Sequence, residues 1–146
     1  MNQSKEISDY IVLLISNHGN RLYGRTYLQK FFFLLKKEFI PEMNLIYTKY
    51  LYGPFSIDLV NKTNSLIASE IITEKSKKFK NSEGHFYELT EKGIEKVKKI
   101  EIKLGGKEIE KFKKLCMKYR DYTPSELLKL VYKKYPEWAA NSKLLQ

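Results

Sequence analysis

Arginine, histidine and cysteine are scarce in this 146-residue chain, with three, two and one of each. A lone Cys116 rules out an internal disulfide, and with no histidine near it in sequence it reads as a small buried apolar residue rather than a reactive thiol. His18 sits beside Gly19 in a turn, without a histidine, cysteine or carboxylate at ligand spacing, so a surface role is expected of it. No cysteine or histidine pair has metal-ligand spacing, and there is no glycine-rich phosphate loop. Asp58 and Glu70 fall on one predicted helix, too far apart along it for paired-carboxylate chemistry. The expectation is therefore a non-enzymatic protein without metal or cofactor. Apolar runs are also short: none approaches the roughly 20 residues that would span a bilayer. Glu6 and Asp9 interrupt the first apolar stretch, which lacks the order of a signal peptide. A cytoplasmic protein with no membrane partner is expected.

The net charge of +10 points to an acidic partner, yet nearly all the basic residues are lysine. Arginine is the side chain suited to bidentate recognition of phosphate and guanine, whereas surface lysine also serves solubility. From Glu91 to Lys118 ten lysines stand against five glutamates, so half of the net charge falls on two predicted surface helices, where a solvated face is its ordinary use. The length suits one domain over residues 1–146, with enough apolar content to bury a core without staples.

Apolar residues at steps of three and four predict a first helix over about Lys5 to Asn17, carrying Ile7, Tyr10, Ile11, Leu14 and Ile15. A second helix is predicted from Thr26, its expected cap, to Phe39, before Pro41. Leu28, Phe32, Leu35 and Phe39 share one of its faces, while Phe33 projects nearly opposite, among Gln29, Lys36 and Lys37. Either this helix is covered on both sides, as all-round apolar helices are, or Phe33 marks a partner surface. Leu45 to Leu51 reads as a strand, Gly53-Pro54 as a turn, and Ser56 as the cap of a third helix over about Ile57 to Glu70. Ile71 to Thr73 and His85 to Leu89 read as the strands of a hairpin with a long basic tip between them. Thr90 caps the next helix, Gly105-Gly106 breaks it, and Thr123-Pro124-Ser125-Glu126 is a capping box opening the last helix. The fold class is α+β, mainly α. Three helices and a small antiparallel sheet with a wing hairpin form a winged-helix-like core over about residues 1–93, with additional C-terminal helices over about 94–146.

The stretch Gly24-Arg25-Thr26-Tyr27-Leu28-Gln29-Lys30, the turn Tyr52-Gly53-Pro54-Phe55-Ser56 and the run Tyr87-Glu88-Leu89-Thr90-Glu91-Lys92-Gly93 together resemble the SocA-like antitoxin family, also called Panacea, which includes YwgA-like proteins. The similarity covers roughly Leu22 to Gly93, and Ser125 to Pro136 is similar to the family's C-terminal helix. The resemblance implies a small globular antitoxin that binds and neutralises a protein toxin encoded beside it, and leaves the toxin's identity open.

Three sets of residues are candidates for function. Phe33, Tyr50, Tyr52 and Phe55 are candidate anchors of a protein interface, in a chain with eleven tyrosines and eight phenylalanines. For duplex DNA, the alternative partner, the outward face of the third helix offers Asn61, Lys62 and Ser65, and the hairpin tip offers Lys75, Lys77, Lys78 and Lys80 as phosphate contacts. Phe79 among those lysines is expected to anchor the hairpin rather than stack on a base. The motif residues themselves, Gly24, Arg25, Thr26, Gln29, Lys30, Gly53, Pro54 and Ser56, are read as structural: Arg25, Gln29 and Lys30 are expected to brace the second helix against the Tyr52 to Pro54 turn.

Overall fold

The computed structural model describes residues 7–80 and 82–140; the side chains of Phe79, Ser82 and Glu83 lie outside that description, and with them the role expected of Phe79. Helix α1 (Ile7–Ser16) leads through a tight turn to strand β1 (Arg21–Tyr23) and helix α2 (Arg25–Glu38). Strands β2 (Thr48–Tyr50) and β3 (Gly53–Phe55) precede α3 (Ile57–Ala68), and β4 (Ile72–Phe79) and β5 (Ser82–Leu89) follow it. Helices α4 (Glu91–Leu104), α5 (Gly106–Tyr119) and α6 (Pro124–Lys134) and a 3-10 turn (Pro136–Ala139) complete the described chain. The architecture is α+β and mainly helical, with two small antiparallel sheets, ordered β1-β5-β4 and β2-β3.

Helix α1 is the innermost element. Tyr10 to Ile15 are all buried, so the apolar stripe legible in the sequence understates the burial, which extends to Val12 and Leu13. Its buried Asp9 carboxylate is met by the Lys103 ammonium of α4 at 2.6 Å, which offsets the cost of taking that charge out of water. Buried side chains from α1 through α6 form a single apolar cluster, including Phe31, Phe32, Phe112 and Val131. The C-terminal helices thus share the core of the preceding elements.

Local chemistry explains several boundaries. Thr123 accepts a hydrogen bond from Glu126 N, and the Glu126 carboxylate accepts from Thr123 N, closing the capping box. Thr90 caps α4 by accepting from Gly93 N at 3.0 Å. Gly93 lies where a side chain has no room: a Cβ there would overlap the carbonyl oxygen of Ile71, so α4 approaches the start of the hairpin only because residue 93 is glycine. Glu38, at the end of α2, accepts from the Tyr119 hydroxyl and from Lys134 Nζ, each at 2.8 Å, and so ties α2 to α5 and α6.

Four sequence expectations are corrected. Helix α2 begins at Arg25 with Gly24 in the capping position, and Thr26 lies inside the first turn rather than capping it. Ser56 does occupy the N-cap of α3, but its side chain makes no capping hydrogen bond. Gly53-Pro54 is not a turn: both residues belong to β3, with Gly53 opposite Tyr50 and Pro54 opposite Lys49, and the chain reverses at Leu51 and Tyr52. The basic tip of the second hairpin is not a long loop either, because the β4-β5 ladder continues unbroken from Ile72 opposite Leu89 to Phe79 opposite Ser82.

Candidate partner-binding face

The β2-β3 hairpin is held by α2 from beneath. Gln29 grips the residue after β3 with both ends of its amide: Oε1 accepts from Ser56 N at 2.8 Å, and Nε2 donates to Ser56 O at 3.0 Å. Lys30 Nζ donates to Pro54 O at 3.0 Å. The Lys30 side chain is almost wholly buried, and desolvation pulls its pKa down to about 8. Arg25 does not join this brace. Its Nε donates instead to Glu74 Oε2 of β4 at 2.7 Å, so the three residues of one helix serve two different neighbours.

Gly53 explains why α6 can lie against β3. Its φ of +91° is open to glycine, and an added Cβ would stand 2.6 Å from Leu128 Cδ1 and 3.3 Å from the Tyr132 ring. With its inner side packed in this way, the hairpin turns its outer strand to solvent: Thr48, Lys49 and Tyr50 are all exposed.

The result is a run of exposed apolar side chains. Ile46 is 73% exposed, Tyr50 51%, Leu51 37%, Tyr52 47% and Ile57 57%. Tyr50 rests on half-buried Phe55, ring centroids 5.3 Å apart. Ile46 N donates to the Asp58 carboxylate at 3.3 Å, which brings Ile46 next to the first turn of α3, where Ile57 lies. Single exposed apolar residues are ordinary, but this many on one hairpin and the helix beside it have the composition of an interaction surface.

Phe33 is not part of this face. It is 1% exposed and sits in an aromatic box, with ring centroids 5.2 Å from Tyr47, 5.4 Å from Tyr135 and 5.1 Å from Trp138, all edge-on. The expectation that Phe33 anchors a partner is thereby overturned: residues a hundred positions later fold over that side of α2. Of the four candidate anchors, Tyr50 and Tyr52 are exposed and Phe55 is half-buried beneath Tyr50.

The candidate nucleic-acid residues are exposed as well. Asn61, Lys62 and Ser65 lie on the outer side of α3, whose inner side buries Leu59, Thr63 and Leu66. Lys75, Lys77, Lys78 and Lys80 are exposed on β4 and just beyond it. Lys75 already pairs with Glu88 at 3.0 Å, and Glu88 also takes Arg21 at 2.6 Å.

His18 is less exposed than expected: Nδ1 donates to Leu14 O, Nε2 lies 3.2 Å from the Tyr27 hydroxyl, and burial lowers its pKa. Cys116 is buried, and desolvation pushes its thiol up to about 12, which leaves it protonated and unreactive near neutrality. Among the described residues no group of three histidine, cysteine or acidic side chains is placed to hold a metal ion, and no helix is long and apolar enough to cross a membrane. Sequence reasoning missed the depth of Lys30 and the exposure of Ile46 and Ile57. The signal for Lys30 was its position beside Phe31 on a helix apolar all round. No protein-family model matches the chain, and no curated protein matches its sequence.

Proposed function

We propose that this chain is a non-enzymatic antitoxin that binds and neutralises a partner toxin by protein contact, through the β2-β3 hairpin and the start of α3. The observation that carries the reading is the exposure of Tyr50, Leu51 and Tyr52 on a hairpin held by Gln29 and Lys30, and of Ile46 and Ile57 on the segments flanking it. Tyrosine on a fixed scaffold supplies contact area at little entropic cost, which is how interface anchors work. The resemblance of the Gly24 to Lys30, Tyr52 to Ser56 and Tyr87 to Gly93 motifs to SocA-like antitoxins supports the same reading, and a cytoplasmic location goes with it. The +10 charge favours a toxin with an acidic rim, because complementary charge speeds encounter. Expression of the adjacent reading frame alone should arrest growth, and co-expression with this chain should restore growth and yield a copurifying complex. A harmless neighbour and no copurifying protein would sink the proposal.

A second reading, a winged-helix DNA-binding regulator, is favoured by one observation: the sheet order β1-β5-β4, with a long lysine-bearing hairpin directly after α3. Asn61, Lys62 and Ser65 would then face the groove, and Lys75, Lys77, Lys78 and Lys80 the phosphates. The absence of arginine from α3 and the pairing of Lys75 with Glu88 rank it second. Under this reading duplex affinity falls steeply with salt, and replacing the four lysines flattens the slope. Binding that is weak and indifferent to sequence would leave only general basic attraction.

A further inference from the structure

Between the first turns of α2, the middle of α3 and the root of the β4-β5 hairpin lies a cleft of about 380 Å3, a size that suits a small organic molecule. Its apolar lining comes from buried Leu28 and half-buried Phe55 and Val60. Polar groups also line it, and most of their capacity is spent. The Gln29 amide is used at both ends on Ser56, and Thr63 Oγ1 donates to Leu59 O at 2.7 Å. Arg25 Nε is taken by Glu74 Oε2, and the hydroxyl of buried Tyr87 hydrogen-bonds to the same pair. What remains for a guest is the donor capacity of the Arg25 guanidinium and the acceptor capacity of the Glu74 carboxylate beyond these bonds, and the amide of exposed Asn64, which offers both.

This combination selects by charge. A carboxylate end would meet Glu74, and an ammonium end would meet Arg25. A neutral end with one acceptor and one donor satisfies both partners of the pair without separating them. We propose that this cleft is a binding site for a small neutral aryl compound with an amide-like end, its ring against Leu28, Phe55 and Val60 and its polar end at the Arg25-Glu74 pair. The site shares Phe55 with the candidate partner face but uses neither the exposed tyrosines nor the lysines of the hairpin, so it does not rest on the partner-binding reading. A guest there touches α2, α3 and β4 together and so fixes the helix against the hairpin.

Three probes with one ring and different ends test it: benzamide, benzoate and benzylamine, each titrated into the full 15N-labelled chain and followed by NMR. Benzamide should give saturable shifts at Arg25 Nε-H, the Asn64 side-chain amide and the backbone of Val60, Thr63 and Glu74. It should bind about tenfold more tightly than either charged probe, the cost of one mispaired polar group. Val60→Trp should fill the cleft and abolish the shifts. Because that variant could also disturb folding, Glu74→Gln provides an independent test: removing the negative charge should move the preference to benzoate while the rest of the spectrum stays in place. Equal binding of the three probes, no saturable shift at these residues, or an order of preference unchanged in Glu74→Gln would overturn the assignment.

Discussion

Two aromatic groups come within three residues of each other in sequence, at Tyr47 and Tyr50, and meet opposite fates. Phe33 is enclosed by half-buried Tyr47, Tyr135 and Trp138, whereas Tyr50 and Tyr52, just beyond Tyr47, stand in solvent. Composition does not distinguish the two groups; long-range cover does. Tyr135 and Trp138 come from the end of the chain and close one side of α2, while the outer strand of the β2-β3 hairpin has no such lid. Aromatic content alone therefore says little about an interface. A rigid, uncovered aromatic face says much more.

The contrast can be broken at its strongest point first. Phe33→Ala should destabilise the protein by about 3–5 kcal/mol, since it empties a fully enclosed ring site, and urea unfolding checks this. A loss below about 1 kcal/mol would mean that the box is not closed in solution.

Lys30, beneath the exposed hairpin, sharpens the contrast through pH. Its folded-state pKa is lowered to about 8 from an ordinary 10.5, so between these values the unfolded chain holds the extra proton and stability rises with pH. Below pH 8 the folded protein has to keep the charge buried. Compared with Lys30→Met, the wild type should gain as much as about 3 kcal/mol between pH 7 and pH 10.5. A difference independent of pH would show the ammonium to be solvated.

Gly53 joins the two regions, because α6 packs on it from the enclosed side. Gly53→Ala should cost about 1–3 kcal/mol through its positive φ and the crowding of Leu128. Thermal melting of the two proteins checks it. The smallest effect belongs to the open face: Tyr50→Ser with Tyr52→Ser should change stability by less than about 1 kcal/mol, as exposed positions do.

How much of this was legible in the sequence follows from how local each determinant is. The Thr123 to Glu126 box and the Thr90 cap were readable because donor and acceptor lie three residues apart. Strand β1 was not, since three residues, Arg21 to Tyr23, carry no periodicity. The extent of β4 was hidden for a related reason: Lys75 to Lys78 are all exposed, so no apolar alternation marks the strand. Gly53-Pro54 suggested a turn because glycine and proline usually punctuate chains, but here glycine admits α6 and proline supplies a carbonyl to Lys30. The partner of Arg25 is not legible locally, because Glu74 lies 49 residues away, beyond any local pattern. The candidate site was legible as a cluster around Gly53 but not in its membership, since only folding reveals that Phe33 is covered and Ile46 and Ile57 are not.

The most direct measurement is growth rescue from the adjacent reading frame by wild type and by the double variant Tyr50→Ser and Tyr52→Ser, with melting temperature recorded in parallel. Rescue by the wild type, and its loss in a variant that melts normally, is the outcome expected if the uncovered hairpin binds the toxin. Rescue undiminished in the double variant would contradict that role.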